Sequence, residues 1–106
     1  MSYRYMRILL FFDLPSVTNE ERRNYTKFRK HLLKSGFMML QESVYCKLVL
    51  NQTVMEGVLK SLKKNKPPEG NIMILNVTEK QFSKMEFIIG NKKSDVLDNT
   101  ERLIIL

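Results

Sequence analysis

Ile8-Leu9-Leu10-Phe11-Phe12 is an unbroken apolar run that stops at Asp13, and Leu14-Pro15 follows at once, where the chain has to leave a regular strand. The run is too short to span a membrane and is flanked by Arg7 and Asp13. Read with period two, Met6, Ile8, Leu10 and Phe12 point to one side of a strand while Leu9 and Phe11 point to the other. Ile72 to Val77 repeats the pattern, with Ile72 and Ile74 opposed to Met73, Leu75 and Val77. A sheet built on such strands must be covered on both faces, and that requirement limits the folds open to the chain.

At 106 residues the chain makes one domain, near the lower limit for a core without staples. Its single cysteine, Cys46, cannot form an internal disulfide, and one His with one Cys cannot build a zinc cage. Apolar packing has to carry the fold, and self-association would help it. The N-terminus lacks the pattern of a cleaved leader, so the chain reads as cytoplasmic, with no membrane association.

Thr18 and Glu21 form a T-x-x-E capping box that predicts a helix from there to Ser35, with Gly36 as its left-handed stop. Tyr25, Phe28 and Leu32 recur at helical spacing within it. Phe37 to Leu50 reads as strand, broken into a hairpin around Gln41-Glu42. Thr53 and Glu56 suggest a second capping box, for a helix carrying Met55, Val58, Leu59 and Leu62 on one face and ended by Pro67-Pro68. Ile72 to Val77 is the next strand, Glu79 to Lys84 a short helical turn, and Glu86 to Ile89 a short strand. Residues 90–101 form a polar segment before the apolar tail Leu103 to Leu106.

This order predicts an α+β fold, a ferredoxin-like βαββαβ sandwich over residues 1–89 with short additional C-terminal strands. Residues 90–106 are expected to form an extension packing on a partner protomer. Helices on one face only leave the other to a second copy of the chain, giving a homodimer with its sheets face to face. Asp13 shares the parity of Leu9 and Phe11, so the two copies of Asp13 would then approach across the two-fold axis.

A rim carboxylate in a chain with 18 Lys and Arg against 11 Asp and Glu, net +7, suggests a divalent ion facing a polyanion. Asp13 could equally end the strand or cap a turn. Arg22, Arg23, Lys27, Arg29 and Lys30 on the first helix, with Lys60, Lys63, Lys64 and Lys66 on the second, read either as solvated faces or as a surface for nucleic-acid backbone. The RNP-type aromatic pattern of an RNA-recognition motif is absent. Ser43 could touch phosphate or cap its turn. His31 reads as a surface residue, Cys46 as a small buried hydrophobe. Glu79, Glu86, Asp95 and Asp98 could contact a basic partner surface. No His or second acid stands near Asp13 in sequence to act as general base, which favours slow or vestigial catalysis.

Three stretches carry a resemblance: Phe12-Asp13-Leu14-Pro15, Arg22-Arg23-x-x-x-Lys27-Phe28, and Gly36 to Tyr45, which is similar to a G-x-x-x-x-Q-x-S-V-F pattern with Tyr45 at the usual Phe. Together they resemble the CRISPR-associated protein 2 family, the small adaptation proteins of bacterial CRISPR systems. The resemblance implies a ferredoxin-like homodimer with Asp13 as the acid that binds Mg²⁺ or Mn²⁺. It also implies endonuclease activity toward RNA or double-stranded DNA, and partnership with the adaptation integrase that inserts spacers. VapD-like toxin ribonucleases share the fold and are the alternative.

Overall fold

The computed structural model describes residues 5–90. Along these run β1 (Met6–Asp13), α1 (Asn19–Lys34), β2 (Met38–Gln41), β3 (Val44–Val49), α2 (Gln52–Lys64), β4 (Asn71–Thr78) and α3 (Glu79–Ser83). The four strands make one sheet in the order β2-β3-β1-β4 with every neighbouring pair antiparallel, which is the ferredoxin-like arrangement expected from the element order. The extension predicted over residues 90–106, with its tail Leu103 to Leu106 and the acids Asp95 and Asp98, lies outside the described residues except for Gly90.

Helix α1 begins as its capping box requires. Thr18 Oγ1 accepts from the Glu21 amide at 3.0 Å, and Glu21 Oε1 accepts from the amides of Thr18 at 3.0 Å and Val17 at 2.9 Å. Those amide hydrogen bonds, Thr18's first, hold the Glu21 carboxyl below its usual range. Gly36 ends the helix at φ 94°. The second helix departs from the expected start: its N-cap is Asn51, whose side chain accepts from the Val54 amide at 2.8 Å, so Thr53 falls inside the first turn. Asn is the stronger cap of the two, and it captures the helix start. The hairpin turn is also displaced by one residue, to Glu42-Ser43, with a register shift between Met39 and Gln41.

The parity read from the first strand holds. Ile8, Leu10 and Phe12 are buried against Phe28 and Leu32 of α1, Met55 and Leu62 of α2, and Tyr45 and Val49 of β3. Phe12 lies 5.6 Å from both Tyr25 and Phe28, edge-on, and 5.7 Å from Tyr45 in a stacked arrangement. On the other face Leu9, Cys46 and Phe82 form a second buried group, with Phe11, Leu40 and Val77 against it.

Phe82 belongs to α3, so helices do not cover one face alone. What holds α3 there is Arg7, 2% exposed, whose Nε donates to Glu79 Oε2 at 2.5 Å and whose Nη1 lies 3.7 Å from Cys46 Sγ. Its guanidinium sits 4.6 Å from the Phe82 ring centroid, a cation–π distance. Glu79 therefore answers a basic group of its own chain. Burial pushes the Cys46 thiol up, as expected of a small buried hydrophobe.

Beyond α3, Glu86 to Ile89 is not a strand. Amides of Lys84 and Met85 bond back to Gln81 and Phe82 as α3 ends, and no described strand pairs with this segment. Ile88 and Ile89 are almost fully exposed.

Truncating Arg7 to Ala should cost about 3 kcal/mol in urea denaturation, because it strands the Glu79 carboxylate and opens a gap over Phe82. Arg7→Met combined with Glu79→Gln should recover most of that loss. Equal destabilisation in the double variant would show that the ion pair is not what holds α3.

Candidate metal and nucleic-acid site

Asp13 ends β1 between two buried residues, Phe12 and Leu14, both of which pack into the helix-side core. Strand alternation puts its carboxylate on the opposite face, where the residue is exposed. Among the described residues that carboxylate has no hydrogen-bond or ion-pair partner, so it caps no turn and neutralises no local cation.

Two turns close on Asp13 from either side. On the β3 side, the Phe12 amide donates to the Ser43 carbonyl at 3.1 Å, and Ser43 holds φ 70°, an uncommon conformation for a residue with a side chain. On the β4 side Asn71 is the direct register partner of Asp13. Gly70, at φ 114°, approaches so closely that a Cβ there would stand 2.4 Å from Leu14 Cδ2 and 2.9 Å from the Asp13 carbonyl oxygen. Its close contact with Asp13 depends on a pairing between strands far apart in the chain.

Among the described residues no group of three or more His, Cys, Asp or Glu could hold a metal ion. An exposed, unpartnered carboxylate is nonetheless a hard oxygen donor of the kind Mg²⁺ or Mn²⁺ accepts, since such ions retain most of their waters and need few protein ligands.

The basic residues divide. Arg22, Arg23, Lys27 and Lys30 line a shallow groove on the outer face of α1. Arg22 is committed to local work: its guanidinium donates to the carbonyls of Val17 at 2.6 Å and Ser16 at 3.3 Å and to Asn19 Oδ1 at 2.6 Å, bracing the loop that follows Asp13. Arg29, Lys60 and Lys63 are exposed on their helices. Lys27 and Lys64, 37 positions apart in sequence, line one crevice. Ser43 stands with Asp13 at the sheet rim, apart from the lysines. His31 is half-buried, its Nε2 3.4 Å from Ser61 Oγ, and links α1 to α2. A cleft of about 380 Å³ opens beside Leu14 and Pro15, but Glu20, Glu21 and Glu69 line it, which makes it hostile to phosphate.

A ferredoxin-like sandwich whose first strand ends in a lone, solvent-facing carboxylate is the class of protein these residues define. Residues 6–85 match the family model described as CRISPR associated protein Cas2, and the chain belongs to that family. It is 57% identical over 101 residues to a CRISPR-associated endoribonuclease Cas2 of Treponema denticola, an alignment covering 95% of this chain and all of the relative. Proteins of the same name from Streptococcus mutans and Ligilactobacillus salivarius are 46% and 43% identical, each over 95% of this chain and over 93% and 100% of their own lengths. Among the described residues no helix is long and apolar enough to cross a membrane.

Gly70→Ala should cost roughly 1–3 kcal/mol, from the positive φ together with the clash against Asp13 and Leu14. Its amide spectrum should change most at Asp13 and Leu14. A variant as stable as the parent, with those signals unmoved, would mean that Gly70 does not set the rim.

Proposed function

We propose that the chain is a metal-dependent endonuclease of CRISPR adaptation that works as a homodimer, binds nucleic-acid backbone and bridges subunits of the adaptation integrase. The observation that carries this reading is Asp13: an exposed carboxylate with no described partner, gripped by two turns at the rim of a sheet. Family membership supports the CRISPR role. The names of the relatives, which say endoribonuclease, support cleavage of a phosphodiester backbone and favour RNA as the substrate.

Asp13 is the residue that would hold Mg²⁺ or Mn²⁺. When bound, such an ion supplies a Lewis acid for a phosphoryl oxygen and a water of lowered pKa. The chain's own part is to fix the carboxylate through Phe12, Gly70 and the Ser43 turn, and to hold the polyanion by Arg23, Lys27, Lys30 and neighbouring cations. No described His or acid is placed as an evident general base, which supports slow turnover and a scaffolding share in the biological role.

The dimer reading rests on the sheet face that α3 leaves open. Met73 and Leu75 are 64% and 53% exposed beside the half-buried Phe11, and a second copy of the same face would remove them from water. Sedimentation at micromolar concentration should give twice the chain mass, and Leu75→Asp should return it to the monomer. A folded wild-type monomer under those conditions would end the dimer reading.

Asp13→Ala should reduce metal-dependent cleavage of RNA and duplex DNA to background, while nucleic-acid binding survives or strengthens because negative charge is lost from a basic protein. Undiminished cleavage by the purified variant would remove Asp13 from the site. Spacer acquisition in cells carrying the variant should persist, and its loss with dimerisation and integrase binding intact would favour cleavage over scaffolding as the biological role.

A further inference from the structure

We propose that the crevice between α1 and the α2–β4 connection is a discrete binding site for the backbone phosphates of nucleic acid, held by Lys27, Lys64 and Lys66. The proposal rests on the nucleic-acid reading above and gives it a place. The crevice is about 150 Å³ in volume. At about 30 Å³ per water it has room for a small hydrated anion. Asn24, Lys27 and Phe28 supply one wall from a single face of α1, being spaced at i, i+3 and i+4. Lys64 to Pro68 supply the other as α2 ends.

Three features mark this as more than a solvated lysine cluster. No acid lines the crevice, and among the described residues none of the three ammonium groups has an ion-pair or hydrogen-bond partner. Lysines in the last turn of a helix are ordinarily explained by the negative end of its dipole, which accounts for Lys64 but not for Lys27 on another helix or Lys66 beyond the C-cap. The wall is also stiff. Asn65 is tied down by its own Nδ2, donating to the Ser61 carbonyl at 2.8 Å, and Lys66 precedes Pro67, which disfavours helical backbone at Lys66. A wall whose backbone is already ordered loses less entropy when a phosphate arrives.

The crevice lies toward the same end of the sheet as Asp13, because α1 leaves β1 there and the connection from α2 enters β4 at Asn71, the register partner of Asp13. It shares Asn24, Pro67 and Pro68 with the cleft lined by Glu20, Glu21 and Glu69, so a backbone seated on Lys27, Lys64 and Lys66 is bounded on that side by repulsive carboxylates.

The test is anisotropy titration of the full chain with a mixed-sequence DNA duplex, and with an RNA strand of equal length, across a salt series. The variant K27Q/K64Q/K66Q is compared with K34Q/K80Q/K84Q, which loses the same charge at exposed positions outside the crevice. The crevice variant should bind the duplex roughly 10- to 100-fold more weakly at physiological salt, and its log K against log salt should flatten by about 2 to 3. The matched control should keep most of the parent's slope. Equal losses in the two variants, with unchanged melting in both, would overturn the crevice and leave a diffuse charge effect. A crevice variant that binds like the parent would overturn it directly, and a parent chain that binds neither probe would refute the nucleic-acid reading and the crevice with it.

Discussion

Phe12 is the contact on which the rest of the structure depends. Its ring meets Tyr25 and Phe28 of α1 edge-on and stacks with Tyr45 of β3, so one side chain joins the central strand to a helix and a neighbouring strand. Aromatic pairs of this kind contribute about 0.5–1.5 kcal/mol each beyond the area they bury. Because strand side chains alternate, anchoring Phe12 on one face commits the next residue, Asp13, to the other. A one-residue slip of β1 would turn Asp13 into the core and the Phe12 ring toward solvent, which makes the register strongly specified.

The two faces of the sheet are closed by different means. The helix face is a continuous apolar core from Ile8 to Leu62. The other face is covered in part by the single turn of α3, and a helix of five residues has little stability of its own. A local capping box at Thr78 and Gln81 starts it, and tertiary contacts hold it: the Phe82 ring against Leu9 and Cys46, and the Arg7–Glu79 pair. A cation in the apolar first strand would be an error in most sheets. Here its charge is met by Glu79 and its plane by Phe82, so the desolvation cost is offset where α3 docks.

Charge is distributed with similar economy. The chain is strongly basic, yet three of its acids, Glu20, Glu21 and Glu69, line the cleft beside Leu14, while Asp13 is exposed on the opposite face of the sheet. Lysines from two helices meet where neither helix's acids reach. For a polyanion the result is a sorted surface, attractive across α1 and the end of α2 and repulsive at the cleft between Glu20 and Glu69.

Local chemistry determined much of this protein in advance. The capping box at Thr18, the stop at Gly36, the break at Pro67-Pro68 and the two-sided parity of β1 and β4 depend on neighbours within a few residues, so they are legible in the chain itself. The element order then implied the sheet topology, and the strand parity placed Asp13 on the face away from the helices. Tertiary structure decided the rest, because it turns on pairings between residues far apart. The strand expected at Glu86 to Ile89 has no described neighbour to pair with. Arg7 found Glu79 and Phe82 across 72 and 75 positions, which brought α3 onto a face that helices were expected to leave bare. Gly70 reached the backbone of Asp13, and Lys27 reached Lys64, only after the sheet and helices had assembled. Residue type and spacing identify the groups able to do chemistry, while the distances that let them act together arise from packing.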